Sequence, residues 1–147
     1  MKVEIRDVRE EDLPGVMRVL AESGIDGDLS FTLEEARKHL AHIRRWPNCR
    51  LLVALAEGEI VGTYLLLIVD KLGKRGTPAG LVEDVAVLPA CQGQGIGRAM
   101  MQHAIAECRK AGCYKLALSS NVKRASAHRF YESLGFERHG YSFAVFF

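Results

Sequence analysis

The feature that most constrains this chain is an apolar run that leads directly into a glycine-rich stretch and then into helix-forming residues. The run GLVEDVAVLP, residues 80–89, is rich in β-branched residues and stops at Pro89. It is followed by ACQGQGIGRAMM, residues 90–101, with glycines at 93, 95 and 97. Glycine in a helical turn costs about 1 kcal/mol relative to alanine. The pattern therefore predicts a strand, a loop and a helix, with bare backbone needed where the helix begins.

A glycine loop at a helix N-terminus is typical of an anion site. Successive backbone N–H groups point at the ligand, the helix dipole adds partial positive charge, and glycine lets phosphate oxygens approach the backbone. The expected ligand is a di- or triphosphate group of a cofactor. Close packing of helix on strand is the alternative explanation for two of the glycines. The Rossmann pattern GxGxxG fails because its last position falls on Arg98, and the GK[ST] of a P-loop is absent.

The rest of the chain predicts the element order β-α-α-β-β-β-α-β-α-β within one domain, residues 1–147. Apolar stripes at helical spacing predict two early helices, with Thr32 and Glu35 as a capping box. The turn at 57–59 predicts a hairpin, and GYSFAVFF, residues 140–147, predicts a final strand. Hairpins imply antiparallel pairing at the front, and the strand–helix–strand unit at 80–120 implies a parallel pair. The predicted class is α/β (α+β), a mixed sheet with helices on both faces.

Composition excludes several classes of function. The 147 residues are 48% hydrophobic and 26% charged, with a net charge of +2 and scattered basic residues, so we expect a globular domain that binds no nucleic acid. The longest apolar run, residues 64–69, is too short to cross a membrane, and the charged opening is unlike a signal peptide. Four cysteines without a CxxC pair favour reduced thiols in a cytoplasmic protein, and the histidines lack the spacing of metal ligands, so we expect no metal.

Two motifs carry a resemblance to a known family. The pattern Gln92-x-x-Gly95-x-Gly97, directly after an apolar strand, resembles the pyrophosphate-binding motif of the GNAT superfamily of acyl-CoA-dependent N-acetyltransferases. The segment AHRFYESLGF, residues 127–136, resembles the second signature of that family. The resemblance implies a mostly antiparallel central sheet of about six to seven strands, and acetyl-CoA as the cosubstrate.

The resemblance also implies where acetyl-CoA binds. Its pyrophosphate would lie on the backbone N–H groups of residues 92–98, and its pantetheine arm would pair with the preceding strand. Many members carry Asn seven residues before the tyrosine of the second signature, where this chain has Arg124. Asn121 is the candidate to replace it, and the alternative is that Lys123 and Arg124 reach the phosphates of the cofactor instead. The implied cofactor-binding residues are Val85, Ala86, Val87, Gln92, Gly93, Gln94, Gly95, Ile96, Gly97, Arg98 and Asn121.

Acetyl transfer to an amine needs a base, because an alkylammonium with a pKa near 10 is not nucleophilic at neutral pH. Two carboxylates, Glu83 and Asp84, stand in the middle of the apolar strand, and neighbours on a strand point to opposite faces. Glu83, acting through a water, is the first candidate, Asp84 is the second, and a purely structural pair remains open. The family resemblance implies that Tyr131 protonates the leaving thiolate; a packed core tyrosine is the alternative.

The acceptor is less constrained. GLVEDVAV, the glycine loop and GCYKLALSS resemble the corresponding part of glucosamine-6-phosphate N-acetyltransferases, and Lys71, Lys74 and Arg75 are candidates to engage a phosphate. We expect a small primary amine, with an amino sugar as one option. A peptide or protein amine is an alternative acceptor, and a non-catalytic acyl-CoA-binding sensor is an alternative function. The apolar ending FAVFF hints at a homodimer.

Overall fold

The computed structural model describes residues 2–27 and 29–147. The chain divides into two compact units, Met1–Ala117 and Leu118–Phe147. Each unit is described here by itself. The expectation of a single domain over residues 1–147 stays a prediction.

The first unit is built on one five-stranded sheet whose strands follow in chain order. The strands β1 to β4 pair antiparallel with their neighbours, and β5 pairs parallel with β4. Both pairing directions were predicted from the sequence. The strands are β1 (Val3–Asp7), β2 (Cys49–Ala56), β3 (Glu59–Val69), β4 (Ala79–Val87) and β5 (Leu116–Ala117).

Three helices belong to the first unit, α1 (Leu13–Glu22), α2 (Leu33–Ile43) and α3 (Ile96–Lys110), and α4 (Ala125–Ser133) belongs to the second. The predicted capping box forms at α2, where the Glu35 N–H donates to Thr32 Oγ1 at 3.1 Å and the Thr32 N–H donates to Glu35 Oε2 at 3.0 Å. Gly112 follows the end of α3 with φ +77°, as the sequence predicted for a helix stop.

Helices cover both faces of the sheet, as expected. On one face α1 and α2 enclose a core that includes Val16, Leu40 and Val53. On the other face α3 lies so close to the strands that a Cβ on Gly62 would stand 2.7 Å from Met100 Sδ. A Cβ on Gly80 would collide with the sulfur of Cys108. Glycine in these strands therefore sets how close α3 approaches the sheet.

Two strand predictions are corrected. Within residues 2–27 and 29–147 the sheet has five strands rather than six to seven, because residues 140–147 form no strand. Their aromatic side chains, including Tyr141, Phe143 and Phe147, are exposed. The run CYKLALSS pairs only at Leu116 and Ala117. Alternation of side chains shows which residues suit a strand, but it does not supply the neighbouring strand with which they must pair.

Candidate active site

The loop between β4 and α3 is fixed by its own hydrogen bonds. The Leu88 N–H donates to Val61 O at 2.8 Å, which ties the end of β4 to β3. The Cys91 N–H donates to Leu88 O at 2.8 Å, and the Gln92 side chain donates to Val87 O at 3.4 Å. The chain therefore turns sharply after Pro89 and presents the next residues at the carboxyl end of β4.

The glycines of this loop have two different roles. Gly93 and Gly95 have φ values of +78° and +82°, a region that side chains with a Cβ rarely adopt. Gly97 instead lies inside the first turn of α3. A Cβ on Gly93 or Gly95 would have no protein atom within 4 Å, so packing of helix on strand does not explain these two glycines. The requirement at both is conformational.

The loop and the first turn of α3 suit a pyrophosphate. Gly95 is the N-cap of α3 and no side chain caps the helix, so the first-turn N–H groups point past the helix end without an intrahelical partner. Gln92, Gly93, Gln94 and Gly95 are exposed. The open space above the glycines and the positive end of the helix dipole fit a bound polyanion.

The strand β4 carries a bulge beside the two candidate carboxylates. Thr63 pairs with Ala86 and Leu65 pairs with Glu83, so two residue steps on β3 correspond to three steps on β4. Asp84 has φ +51°, which places it in the left-handed region. Bulges leave a residue unpaired and are frequent next to active sites. The bulge interrupts the ladder at the residue that follows Glu83.

This bulge removes the basis of one step of the sequence argument. Regular alternation would send Glu83 and Asp84 to opposite faces, but the alternation does not hold across a bulge. Both side chains are exposed. Glu83 lies three residues after Gly80 on the regular part of β4, where it pairs with Leu65. A Cβ on Gly80 would face α3, and residues three apart on a strand point to opposite faces. Glu83 therefore points to the face that α1 and α2 cover.

The edge of β4 that faces β5 is paired over only a short length. The ladder consists of Gly80 with Leu116 and Leu81 with Ala117. Beyond Leu81 the described residues provide no strand on that side of β4. The segment Val85–Val87, predicted to hold the pantetheine arm, lies in this stretch and is buried to half-buried. An extended ligand with amide groups can add to such an edge as an extra strand.

The second unit holds two of the predicted site residues. Tyr131 on α4 packs edge-on against Phe130 and Phe136, with ring centroids 5.1 and 5.6 Å away. Burial raises the pKa of Tyr131, so its phenol stays protonated at neutral pH. Asn121 precedes α4, and its side-chain oxygen accepts from the Lys123 N–H at 2.9 Å.

The turn before α4 is built around Asn121. Its carbonyl oxygen accepts from the Arg124 N–H at 3.0 Å and lies 2.8 Å from His128 Nε2. Arg124 itself is the N-cap of α4, so the residue that departs from the family pattern begins the helix. Asn121 thus has a structural role in its own unit, which sequence reasoning did not foresee.

Sequence reasoning missed the bulge, although one signal was present. Asp and Asn are several-fold enriched among residues with positive φ, and an Asp in the middle of an apolar strand is otherwise out of place. It also missed an ionic network on the α3 face, where Arg50 donates to Asp7 and to Glu107, each at 2.9 Å.

Among the residues the structure describes, no group of three or more His, Cys, Asp or Glu is arranged to hold a metal ion. In the same ranges, no helix is long and apolar enough to cross a membrane.

A family model described as "Acetyltransferase (GNAT) family" matches residues 20–136. The chain belongs to this family. GNAT acetyltransferases use acetyl-CoA as the acetyl donor, so the chain is an acyl-CoA-dependent N-acetyltransferase, and the predicted fold class is confirmed.

Individual relatives of this GNAT chain act on different amines. It is 40% identical over 82 residues to a glucosamine 6-phosphate N-acetyltransferase of Trypanosoma brucei brucei, a match that covers 56% of this chain and 54% of the relative. It is 31% identical over 140 residues to an aminoalkylphosphonate N-acetyltransferase of Salmonella typhimurium, covering 95% and 88% of the two chains. A solved Trypanosoma brucei acetyltransferase superposes with a TM-score of 0.85 at 29% identity, over 99% of this chain and 100% of that one.

Proposed function

We propose that the chain transfers the acetyl group of acetyl-CoA to the primary amine of a small molecule by direct attack on the thioester. The geometry that supports this is the sequence of features along β4. A carboxylate, a bulge, an unpaired strand edge and a glycine loop at a helix N-terminus follow one another between Glu83 and Gly97. These are the parts that a base, a thioester and a pyrophosphate would need, in the order in which they would meet the strand.

In the proposed step the amine nitrogen forms a bond to the acetyl carbon and the bond from that carbon to sulfur breaks. Glu83, through a water, takes the proton that the attacking ammonium must lose, with Asp84 as the reserve. General base catalysis of this kind contributes about 10²–10⁴-fold to the rate. Glu83 is the better candidate because it is exposed on the α1/α2 face and lies directly before the bulge.

In this proposal the bulge provides a hydrogen-bond donor for the carbonyl oxygen of the thioester. Where the ladder is interrupted, Asp84 and Val85 have no partner residue on β3. One backbone N–H donating to the developing oxyanion contributes about 3 kcal/mol to transition-state stabilisation. We assign this role to Val85, Ala86 and Val87, whose backbone would also pair with the pantetheine amides.

We also assign residues to the pyrophosphate, the pantetheine arm and the leaving thiolate of acetyl-CoA. The backbone of Gln92, Gly93, Gln94, Gly95, Ile96, Gly97 and Arg98 would hold the pyrophosphate. Asn121 would contact the pantetheine, and Tyr131 would donate its proton to the leaving thiolate. The protonated state of the Tyr131 phenol at neutral pH supports the latter role.

The observation that carries the proposal is the bulge at Asp84 beside Glu83. The experiment is a panel of amines incubated with acetyl-CoA and the purified protein, with the acetylated product detected by mass spectrometry. Glucosamine 6-phosphate, an aminoalkylphosphonate, an aminoglycoside, polyamines, amino acids and short peptides belong in it. We expect acetylation of one class of small amine.

Other results of the panel would replace the proposal. Turnover of peptides alone would make the acceptor a peptide or protein amine. Binding of acetyl-CoA with no acetylated product from any amine would favour the non-catalytic sensor. In that case the variants Glu83→Gln and Tyr131→Phe would change nothing measurable, whereas an enzyme should lose turnover and keep cofactor binding.

A further inference from the structure

A cluster of basic side chains surrounds one tyrosine in the first unit, at the opposite end of β4 from the glycine loop. Lys71 Nζ lies 2.7 Å from the Tyr114 hydroxyl oxygen and 4.7 Å from the centroid of its ring. Lys74 Nζ and Lys115 Nζ lie 5.7 and 5.6 Å from the same centroid. Three ammonium groups therefore converge on one aromatic side chain. We call these four residues the Tyr114 cluster.

The charge of the Tyr114 cluster is not neutralised by carboxylates. Asp70 is adjacent in the chain, yet within residues 2–27 and 29–147 no carboxylate forms an ion pair with Lys71, Lys74 or Lys115. The hydrogen bond from Lys71 lowers the pKa of the Tyr114 phenol, as expected beside concentrated positive charge. Like charges held together repel one another, and an anion bound among them removes that repulsion.

The loop that carries two of these lysines is held in a defined conformation. Lys74 and Arg75 have φ values of +55° and +57°, which cost of order 1 kcal/mol each for residues with a Cβ. Hydrogen bonds to Lys74 O from the Thr77 hydroxyl at 2.7 Å and the Thr77 N–H at 3.1 Å secure the turn. The chain thus maintains a strained loop that keeps Lys74 beside Tyr114.

The Tyr114 cluster lies beside the beginning of the strand that carries the candidate base. The Tyr114 N–H donates to Pro78 O at 3.1 Å, and the Gly80 N–H donates to Lys115 O at 2.9 Å, so the cluster is attached to the beginning of β4. Glu83 lies three residues beyond Gly80, which is about 10 Å along a strand.

We propose that the Tyr114 cluster binds the phosphate or phosphonate dianion of the acceptor, whose amine then lies at Glu83. This inference rests on the function proposed above and narrows its substrate class. A phosphate monoester carries about −1.5 to −2 charges at pH 7 and three acceptor oxygens, and lysine ammonium groups are suitable partners. An acceptor with an amine at one end and a phosphoryl group at the other has the two groups that this arrangement would engage.

The acceptors named for two relatives share this chemistry. One is glucosamine 6-phosphate and the other is an aminoalkylphosphonate, molecules that differ in their carbon skeleton but both combine an amine with a phosphoryl group. Coenzyme A also carries phosphate, but its pyrophosphate site is assigned to the carboxyl end of β4 and the cluster lies at the amino end. The cluster is therefore assigned to the acceptor and not to the donor.

The test compares matched amines with and without the phosphoryl group. Binding of glucosamine 6-phosphate and of glucosamine to the coenzyme A-loaded protein is measured by titration calorimetry, and kcat/KM is measured for whichever is acetylated. The variant is Lys71→Gln with Lys74→Gln. Its matched control is Arg109→Gln with Lys110→Gln, which removes the same charge from the end of α3.

We expect the cluster variant to bind glucosamine 6-phosphate at least about 10-fold more weakly, as for loss of hydrogen bonds to a charged group. Binding of glucosamine and the KM for acetyl-CoA should stay within about twofold, a change smaller than one ordinary interaction. The control variant should match the wild type. Addition of salt should reduce the wild-type preference for the phosphorylated amine, because exposed charges are screened.

Three results would overturn the inference. The first is equal affinity of the wild type for the two amines, and the second is an equal loss of affinity for both amines in the cluster variant. The third is a raised KM for acetyl-CoA in the cluster variant with every acceptor, which would assign the lysines to the donor. Failure of the proposed function gives a different pattern. If glucosamine 6-phosphate binds through the lysines but neither it nor any other amine of the panel is acetylated, the cluster stands as an anion site and the catalytic proposal fails.

Discussion

At the scale of single residues, backbone conformation distinguishes the roles of the loop glycines. Gly93 and Gly95 adopt positive φ next to open space. Gly97 lies within the first turn of α3 and is not among the glycines with positive φ. The sequence could predict that bare backbone was needed. It could not show which glycines were required for conformation, because φ is set by how the loop leaves β4 and enters α3.

Substitution of Gly95 by alanine tests the loop as an anion site. The left-handed conformation should cost about 1–2 kcal/mol of unfolding free energy once a Cβ is present. The Cβ would project into open space where the pyrophosphate is expected, so acetyl-CoA should bind about 10-fold more weakly, a loss equal to one hydrogen bond to a charged group. Thermal unfolding and calorimetric titration with acetyl-CoA measure the two effects.

Gly112→Ala is the matched control for this prediction. Gly112 has φ +77° and also has no neighbour within 4 Å, but it lies beyond the other end of α3. It should lose the same stability and keep full affinity for acetyl-CoA. Equal affinity in both variants would show that the pyrophosphate does not lie on this loop.

The bulge at Asp84 is a feature of a single residue that could not be predicted from the sequence. Two adjacent carboxylates in an apolar strand indicated a site, and alternation of side chains then assigned them to opposite faces. The observed bulge depends on the register between β3 and β4, which involves Thr63 and Leu65 as much as Asp84. A register between distant segments is not encoded in the spacing of either segment alone.

At the scale of elements, α3 is joined to the sheet by a polar network as well as by apolar packing. Tyr64 on β3 is fully buried, and its hydroxyl lies 2.6 Å from Nδ1 of His103 on α3. Near it, Arg50 on β2 bonds to Asp7 on β1 and to Glu107 on α3. The hydrogen bonds from Arg50 hold the pKa values of Asp7 and Glu107 below their usual range.

This network predicts how stability depends on pH. Burial lowers the pKa of His103, so the folded protein binds fewer protons there than the unfolded chain. The free energy of unfolding should therefore be highest above pH 6.5, the ordinary pKa of histidine, and fall as the pH drops below it. The depressed pKa values of Asp7 and Glu107 should add a second loss of stability at lower pH, below the ordinary pKa of carboxyl groups.

The variant His103→Gln tests the first of these losses. Glutamine keeps a hydrogen-bonding group near Tyr64 but does not titrate, so the decline below about pH 6.5 should flatten. Urea unfolding at several pH values measures it. The control is His42→Gln at an exposed position on α2, which should leave the slope unchanged. An unchanged slope in His103→Gln would show that His103 is not the group responsible.

At the scale of the whole molecule, the local patterns of the sequence predicted most of the elements. Helical stripes, the Thr32 capping box and the turn at Glu57 and Gly58 appear as expected, because each depends on residues close together in the chain. The predicted final strand is wrong because a strand depends on a partner. Tyr141, Phe143 and Phe147 alternate as in a strand yet are exposed. The predicted homodimer and cytoplasmic location stay predictions.

The candidate site was predicted in its residue types more than in its arrangement. The glycine loop, the carboxylates and the strand between them lie in one continuous segment, so their order along β4 follows from the sequence. The Tyr114 cluster required the fold, because Lys71 and Tyr114 are separated by 43 residues and meet only when β5 aligns with β4. Lys71 and Lys74 were noted as phosphate candidates, while Tyr114 and Lys115 carried no signal of their own.

The most direct measurement is the pH dependence of kcat for amine acetylation in Glu83→Gln, with Asp84→Asn as its control. A base at Glu83 predicts a loss of about 100-fold or more at pH 7 in Glu83→Gln. The loss should narrow towards pH 9–10, where an amine with a pKa of about 10 begins to lose its own proton. Asp84→Asn should lose much less. Wild-type activity of Glu83→Gln at pH 7, or a larger loss in Asp84→Asn, would contradict the assignment of Glu83 as the base.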